Sequence, residues 1–174
     1  MPVSNDVVST TPTSPFTSWR GDHVGLRVPD FEVAAAWYTG TLDFRLIRTM
    51  ALGEKTLAFL APAADDSFRI ELIAGPGCAP RPEYDQLIDT HAIAGWHHLC
   101  LRVEDVDAAI GELKRRDVRI VSEPRDAPGL ALRFAFFSDP WGNLIELTQP
   151  LFLNAEAKPR YVREAPSPQT AEER

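Results

Sequence analysis

The feature that most constrains the fold of this chain is an internal repeat, in which residues of the first half recur in the second half at a constant offset. Residues 23–30, HVGLRVPD, are matched by residues 98–105, HLCLRVED. Residues 70–73, IELI, are matched by residues 145–148, IELT, so the His and the Glu are equally far apart in both copies. The two halves align without a gap, which predicts two copies of one structural module.

Each half contains the same predicted order of secondary structure. A strand with alternating apolar residues comes first, running from Val24 to Val28 in the first copy. A helix follows, and Asp30 and Asp105 stand where an N-cap residue is expected. Three more strands complete each half, which predicts an α+β fold of duplicated βαβββ modules that form a curved mixed sheet, a half-barrel. These strands are predicted over Phe44–Thr49, Thr56–Ala61 and Phe68–Ala74, and over Val118–Ser122, Arg133–Ser138 and Leu144–Gln149.

The two ends of the chain differ in composition from the repeat. They are rich in Pro, Ser, Thr, Glu and Lys, which bury too little apolar surface to offset the entropy of ordering. A Gly- and Pro-rich connection joins the halves, with a short helix predicted around Tyr84–Ile88. The predicted boundaries are 1–18 for a disordered N-terminal tail, 19–152 for the domain, 20–78 and 95–151 for its two modules, and 153–174 for a mobile C-terminal tail.

Composition and charge exclude several classes of function. The 174 residues are 44% hydrophobic and 25% charged, as in globular proteins. Lys and Arg number 18 against 25 Asp and Glu, a net charge of −7 without any basic run, so no nucleic-acid partner is expected. The N-terminal segment 1–20 resembles neither a signal peptide nor a membrane span, and we expect a soluble, cytoplasmic protein without a membrane partner. Cys78 and Cys100, the two cysteines, are predicted to be free thiols.

The repeat also points to a metal site. Because side chains alternate along a strand, the matched residues His23, Glu71, His98 and Glu146 are expected on the face that does not pack on the helices. A single His on a strand is more often structural, but buried imidazoles and carboxylates recurring at matched positions favour metal ligation. Two imidazoles and two carboxylates suit one divalent ion such as Ni, Co, Fe, Mn or Zn. His97 competes with His98, and the repeat register favours His98.

One family shares this arrangement. The module places a His at the start of its first strand and a Glu in its last, and the second Glu strand follows a DPWGN turn at residues 139–143. This pattern resembles the vicinal oxygen chelate superfamily, which includes glyoxalase I, methylmalonyl-CoA epimerase, extradiol dioxygenases and bleomycin resistance proteins. The resemblance covers about residues 20 to 150.

The resemblance implies a metal-dependent lyase, isomerase or epimerase of the glyoxalase type. Such an enzyme acts by proton transfer next to a metal-bound oxygen of a small substrate. It implies catalytic roles for Glu146 and Glu71, a substrate-binding role for Arg27 with Arg102 as its match in the second half, and a homodimer. Two alternatives stay open, an Fe(II) ring-cleaving dioxygenase and a non-catalytic antibiotic-binding resistance protein.

Overall fold

The computed structural model of the protein describes residues 15–151. The predicted C-terminal tail and residues 1–14 of the predicted N-terminal tail lie outside the described residues, and Pro15–Ser18 form a short 3-10 helix. No helix in the described part is long and apolar enough to cross a bilayer. The described residues form two compact units, divided between Pro80 and Arg81.

The first unit is a four-stranded mixed sheet with one helix. The strand order is β1-β4-β3-β2, with β1 parallel to β4 and the other neighbours antiparallel. Its elements are β1 (His23–Val28), α1 (Phe31–Thr41), β2 (Arg45–Leu52), β3 (Lys55–Ala61) and β4 (Arg69–Ala74).

The second unit repeats this topology. Its strand order is β5-β8-β7-β6, and β5 is parallel to β8. A 3-10 helix precedes the sheet at Leu87–Ala92, later in the chain than the short helix predicted around Tyr84–Ile88. The helix begins there because the backbone N–H of Gln86 donates to Asp89 Oδ2 at 2.9 Å. The elements are β5 (His98–Arg102), α2 (Val106–Arg115), β6 (Ile120–Ala127), β7 (Leu132–Ser138) and β8 (Leu144–Pro150).

Both helices begin where the sequence predicts. Asp30 and Asp105 cap them, and each aspartate side chain accepts a hydrogen bond at 2.9 Å from the backbone N–H three residues later. Each helix packs its apolar face on its own unit, and β1 and β5 direct alternate apolar residues toward that core. The buried helix residues are Ala34, Ala35 and Tyr38 in α1, and Val106, Ile110 and Leu113 in α2.

The α+β class and the duplicated βαβββ modules are confirmed, with one four-stranded sheet in each module. Every predicted strand is present. The largest error is at the end of β6, which continues to Ala127 beyond the predicted Ser122. Pro124 lies in this extension and is tolerated because β6 is an edge strand whose register shifts between Ser122 and Arg125.

The prediction of a gapless alignment is wrong between the strands. Phe59 pairs with Glu71 in the first sheet and Phe136 pairs with Glu146 in the second, so the two phenylalanines are farther apart in sequence than the two glutamates. The β2–β3 turn has two residues, 53–54, whereas residues 128–131 join β6 to β7. The β3–β4 loop, 62–68, is in turn two residues longer than the β7–β8 loop, 139–143. The two differences cancel, which preserves the His-to-Glu spacing.

Candidate metal centre

His23 and Glu71 lie side by side in the first unit. His23 begins β1, and the parallel pairing aligns Gly25 with Glu71 of β4. His23 Nε2 lies 3.6 Å from Glu71 Oε2, and the Glu71 side chain is 18% exposed. Phe59 packs edge-on against the His23 ring, with 5.3 Å between centroids. A half-buried imidazole–carboxylate pair is therefore held by β1, β3 and β4.

His98 and Glu146 form the equivalent pair in the second unit. His98 Nε2 lies 3.1 Å from Glu146 Oε2, whose side chain is also 18% exposed. Phe136, which pairs with Glu146, packs edge-on against His98 with 5.2 Å between centroids. Cys100 takes the position that Gly25 has in the first unit. The two modules thus build the same pair from the same strand positions.

The donor set of each pair fits a divalent ion. Two ligands at right angles, each about 2.1 Å from one ion, lie about 3 Å from each other, close to the separations in both pairs. Imidazole nitrogen and carboxylate oxygen together suit first-row divalent metals. Across residues 15–151, no group of three or more His, Cys, Asp or Glu side chains forms a metal cluster. Each unit holds one imidazole–carboxylate pair. The binding of one ion by all four side chains stays a prediction.

The residue before each of these histidines contacts its ring. Asp22 Oδ1 lies 2.8 Å from His23 Nδ1, and Arg69 Nη2 lies 3.3 Å from Asp22 Oδ2. The hydrogen bond from His23, followed by the Arg69 charge, lowers the pKa of Asp22. Asp22 is not among the site residues predicted from the sequence, although extending the repeat by one residue at its N-terminal end identifies the position.

His97 is the matched residue in the second unit. Its Nδ1 lies 2.8 Å from His98 Nδ1, and its Nε2 lies 2.7 Å from Thr90 Oγ1. Burial, followed by the neighbouring imidazoles of His98 and His91, lowers the pKa of His97. The sequence predicts His97 only as a competing ligand, whereas in the structure its ring contacts that of His98.

The two arginines predicted to bind substrate differ in their surroundings. The Arg27 guanidinium donates to four backbone carbonyls of its own unit, those of Val28, Ile73, Gly75 and Pro76, at 2.5 to 2.7 Å. These bonds fix the end of β1 to the segment after β4. Arg102, at the matched position of β5, is exposed. Substrate binding by either residue stays a prediction.

Cys100 lies on the same strand as His98, and both cysteines are free thiols. Cys100 Sγ lies 3.5 Å from Thr148 Oγ1. Burial, the largest effect, raises the pKa of Cys100 to about 11. A thiol with so high a pKa is protonated at neutral pH, which makes it a poor nucleophile.

The DPWGN turn, residues 139–143, directly precedes β8, the strand that contains Glu146. The buried Asp139 accepts hydrogen bonds from the backbone N–H groups of Trp141 and Asn143, at 3.0 and 2.8 Å. Gly142 adopts a φ of 78°, in the left-handed region that favours glycine. The turn therefore has a structural role in starting β8.

Comparisons with known proteins identify the family. Residues 20–147 match the family model described as Glyoxalase/Bleomycin resistance protein/Dioxygenase superfamily. Human mitochondrial methylmalonyl-CoA epimerase is 29% identical over 133 residues, which cover 75% of this chain and 73% of the relative. A 2-epi-5-epi-valiolone epimerase of Actinomyces sp is 30% identical over 139 residues, or 72% of this chain and 76% of the relative.

Among solved structures, the antibiotic-binding protein TnmS3 from Streptomyces sp. CB03234 matches with a TM-score of 0.53 and 28% identity. The match covers 75% of this chain and 97% of TnmS3. The relatives thus include both enzymes and a binding protein. Since the family model covers most of the chain, the protein belongs to the Glyoxalase/Bleomycin resistance protein/Dioxygenase superfamily.

Proposed function

We propose that this protein is a divalent-metal-dependent enzyme that epimerises or isomerises a small substrate by moving a proton on a carbon next to a carbonyl group. The observation that carries the proposal is the imidazole–carboxylate pair that each unit holds at matched strand positions. Two relatives named as epimerases support the proton-transfer chemistry.

The proposed metal ligands are His23, Glu71, His98 and Glu146, and the proposed ion is Ni, Co, Fe, Mn or Zn. A bound ion would supply positive charge for the anion that forms when a proton leaves carbon. The ligand types support this proposal, since neutral imidazoles and carboxylates bind first-row divalent ions well.

The two glutamates are the proposed acid–base groups. Epimerisation removes a proton from one face of a carbon and returns a proton to the opposite face, which calls for two groups that can exchange protons. We assign proton removal to Glu146 and the opposite transfer to Glu71. Both carboxylates are only 18% exposed, so less water competes with substrate for them than on an open surface.

Solvent isotope exchange tests the proposed chemistry. Metal-free protein is reloaded with Co²⁺, Ni²⁺ or Zn²⁺ and incubated in D₂O with methylmalonyl-CoA, the substrate class named for the human relative. Mass spectrometry then measures deuterium at C2. We expect exchange that depends on the added ion. Absence of exchange with every ion would contradict epimerase activity on this substrate class.

Variants of the glutamates test their roles. We expect Glu146→Gln and Glu71→Gln each to lower the exchange rate at least about 100-fold, because general acid–base catalysis commonly contributes this much. Glu123→Gln is the matched control, because Glu123 is exposed and paired with Lys114 at 2.8 Å. Full activity of Glu146→Gln with normal metal content would refute the assignment.

A second candidate function is antibiotic binding without catalysis, which the likeness to TnmS3 supports. A binding protein of this kind would retain a drug at a stoichiometric ratio without metal and would show no isotope exchange. Oxygen uptake with a catechol and Fe²⁺ would instead favour the dioxygenase alternative. We also propose that the protein forms a homodimer, and light scattering in solution would measure its mass. The cytoplasmic location stays a prediction from sequence.

A further inference from the structure

The imidazole of each proposed ligand histidine is contacted on its far nitrogen by the residue that precedes it. Asp22 contacts Nδ1 of His23, and His97 contacts Nδ1 of His98, both at 2.8 Å. In both histidines Nε2 is the nitrogen near the glutamate. A neutral imidazole carries one proton, and it can bind a metal only through the nitrogen that lacks it.

A chain of hydrogen bonds determines where this proton lies in the second unit. Thr90 Oγ1 lies 2.5 Å from the carbonyl oxygen of Leu87, which can only accept, so the Thr90 hydroxyl donates there. Thr90 Oγ1 then accepts from His97 Nε2 at 2.7 Å, which puts the His97 proton on Nε2. His97 Nδ1 is left without a proton and accepts from His98 Nδ1. The lone pair of His98 is thereby placed on Nε2.

We propose that Thr90 and His97 are positioning residues that hold His98 with its proton on Nδ1, so that its Nε2 lone pair faces Glu146 and is available to a metal ion. Asp22 does the same for His23 in the first unit. This inference rests on the proposed function for its purpose. The proton position on His98 is set by two competing acceptors, His97 Nδ1 at 2.8 Å from Nδ1 and Glu146 Oε2 at 3.1 Å from Nε2, and the hydrogen-bonded chain from Thr90 favours the proton on Nδ1. Such outer partners fix the tautomer of a ligand and raise its basicity.

The two units use different chemical groups to hold the proton of the ligand histidine on Nδ1. Asp22 is a carboxylate with 62% of its side chain exposed, and it pairs with Arg69. His97 is a half-buried imidazole that needs Thr90 to set its own tautomer. A carboxylate can only accept from the adjacent imidazole N–H, so a carboxylate in place of His97 would preserve the proton position on His98. The substitution His97→Asp therefore distinguishes a positioning role from a need for imidazole.

Nuclear magnetic resonance measures the proton positions directly. Long-range ¹H–¹⁵N correlation spectra of the metal-free protein, labelled with ¹⁵N-histidine, are recorded at pH 8, above the usual imidazole pKa of about 6.5. We expect His98 and His23 to carry the proton on Nδ1, and His97 to carry it on Nε2. A His98 proton on Nε2 in the unmodified protein would overturn the proposal.

Variants then separate positioning from folding. We expect Thr90→Val and His97→Leu to give a mixture of His98 tautomers and to weaken Co²⁺ binding about 10- to 100-fold. His97→Asp should keep the Nδ1 proton on His98 and bind Co²⁺ within about threefold of the unmodified protein. His91→Gln is the matched control, because its ring packs 5.0 Å from that of His97 outside this hydrogen-bonded chain, and it should change neither measurement.

Circular dichroism of each variant establishes that it is folded. Unchanged His98 tautomer and unchanged Co²⁺ affinity in folded His97→Leu would refute the inference. If the unmodified protein binds no divalent ion, the proposed function fails, and the tautomer spectra still decide whether the hydrogen-bonded chain exists.

Discussion

Arg27 and Arg102 occupy the same position of the repeat but have different surroundings. Arg27 is partly buried and donates to carbonyls at the end of β1 and in the segment after β4. Arg102 is exposed. Hydrogen bonds from a charged donor to partly buried acceptors each contribute more than those of neutral groups. Arg27 therefore contributes to the stability of the first unit, whatever its role toward a substrate.

Replacement of Arg27 tests this contribution. We expect Arg27→Met to lower the free energy of unfolding by about 2 to 4 kcal/mol, because the four carbonyls lose their donor while the apolar part of the side chain is kept. Arg102→Met should change it by less than about 0.5 kcal/mol, as exposed substitutions usually do. Urea denaturation of the metal-free proteins measures both, and equal effects of the two substitutions would contradict the account.

The four proposed ligands could be predicted from sequence because matched residues recur at a constant spacing on strands whose alternation is clear. The contacts to the Nδ1 atoms of His23 and His98 could not be predicted in this way. Asp22 and His97 differ chemically and precede the strands, so no alternation applies to them, and Thr90 contacts His97 through a 3-10 helix. The four carbonyl partners of Arg27 likewise depend on backbone geometry after β4, which side-chain patterns do not encode.

Among the secondary-structure elements, the strands and helices were more predictable than the loops. Apolar alternation and N-cap aspartates identified every strand and both helix starts. The constant offset between the halves did not reveal two differences in loop length. The β2–β3 turn is two residues shorter than the β6–β7 connection, and the β3–β4 loop is two residues longer than the β7–β8 loop. Loop length is not constrained by burial. The constant His-to-Glu spacing was therefore compatible both with a gapless repeat and with a repeat in which two loop-length differences cancel.

Gly75 ends the Glu71 strand in a conformation that excludes other residues. Its φ is 138°, and a Cβ at this position would lie 3.0 Å from the Glu54 carbonyl oxygen and 3.2 Å from Lys55 Cα. Both are backbone atoms of the β2–β3 hairpin, which cannot move aside easily. The close approach of these two segments therefore requires glycine.

We expect Gly75→Ala to lower the free energy of unfolding by about 1 to 3 kcal/mol, through backbone strain and this contact. Gly111→Ala, in the exposed middle of α2 where a Cβ meets nothing within 4 Å, should raise it by about 0.5 to 1 kcal/mol. Thermal unfolding compares them, and a stabilised Gly75→Ala variant would show that the junction is less constrained than described.

For the whole molecule, we propose that the two modules each contribute one imidazole and one carboxylate to the binding of one metal ion. Each module holds an imidazole and a carboxylate, which are too few ligands for tight binding of a first-row ion in most proteins. Binding of one ion by both modules, as we propose, would account for the recurrence of the pair. We therefore expect one ion per chain, whose binding requires ligands from both modules.

The stoichiometry of Co²⁺ binding tests this claim most directly. Isothermal titration of the metal-free protein, with metal content confirmed by elemental analysis, should give one ion per chain. His23→Ala and His98→Ala should each weaken binding at least about 100-fold, because each removes a ligand from the same ion. Two ions per chain, with either variant still binding one, would contradict a shared centre, as would a protein that binds no divalent ion.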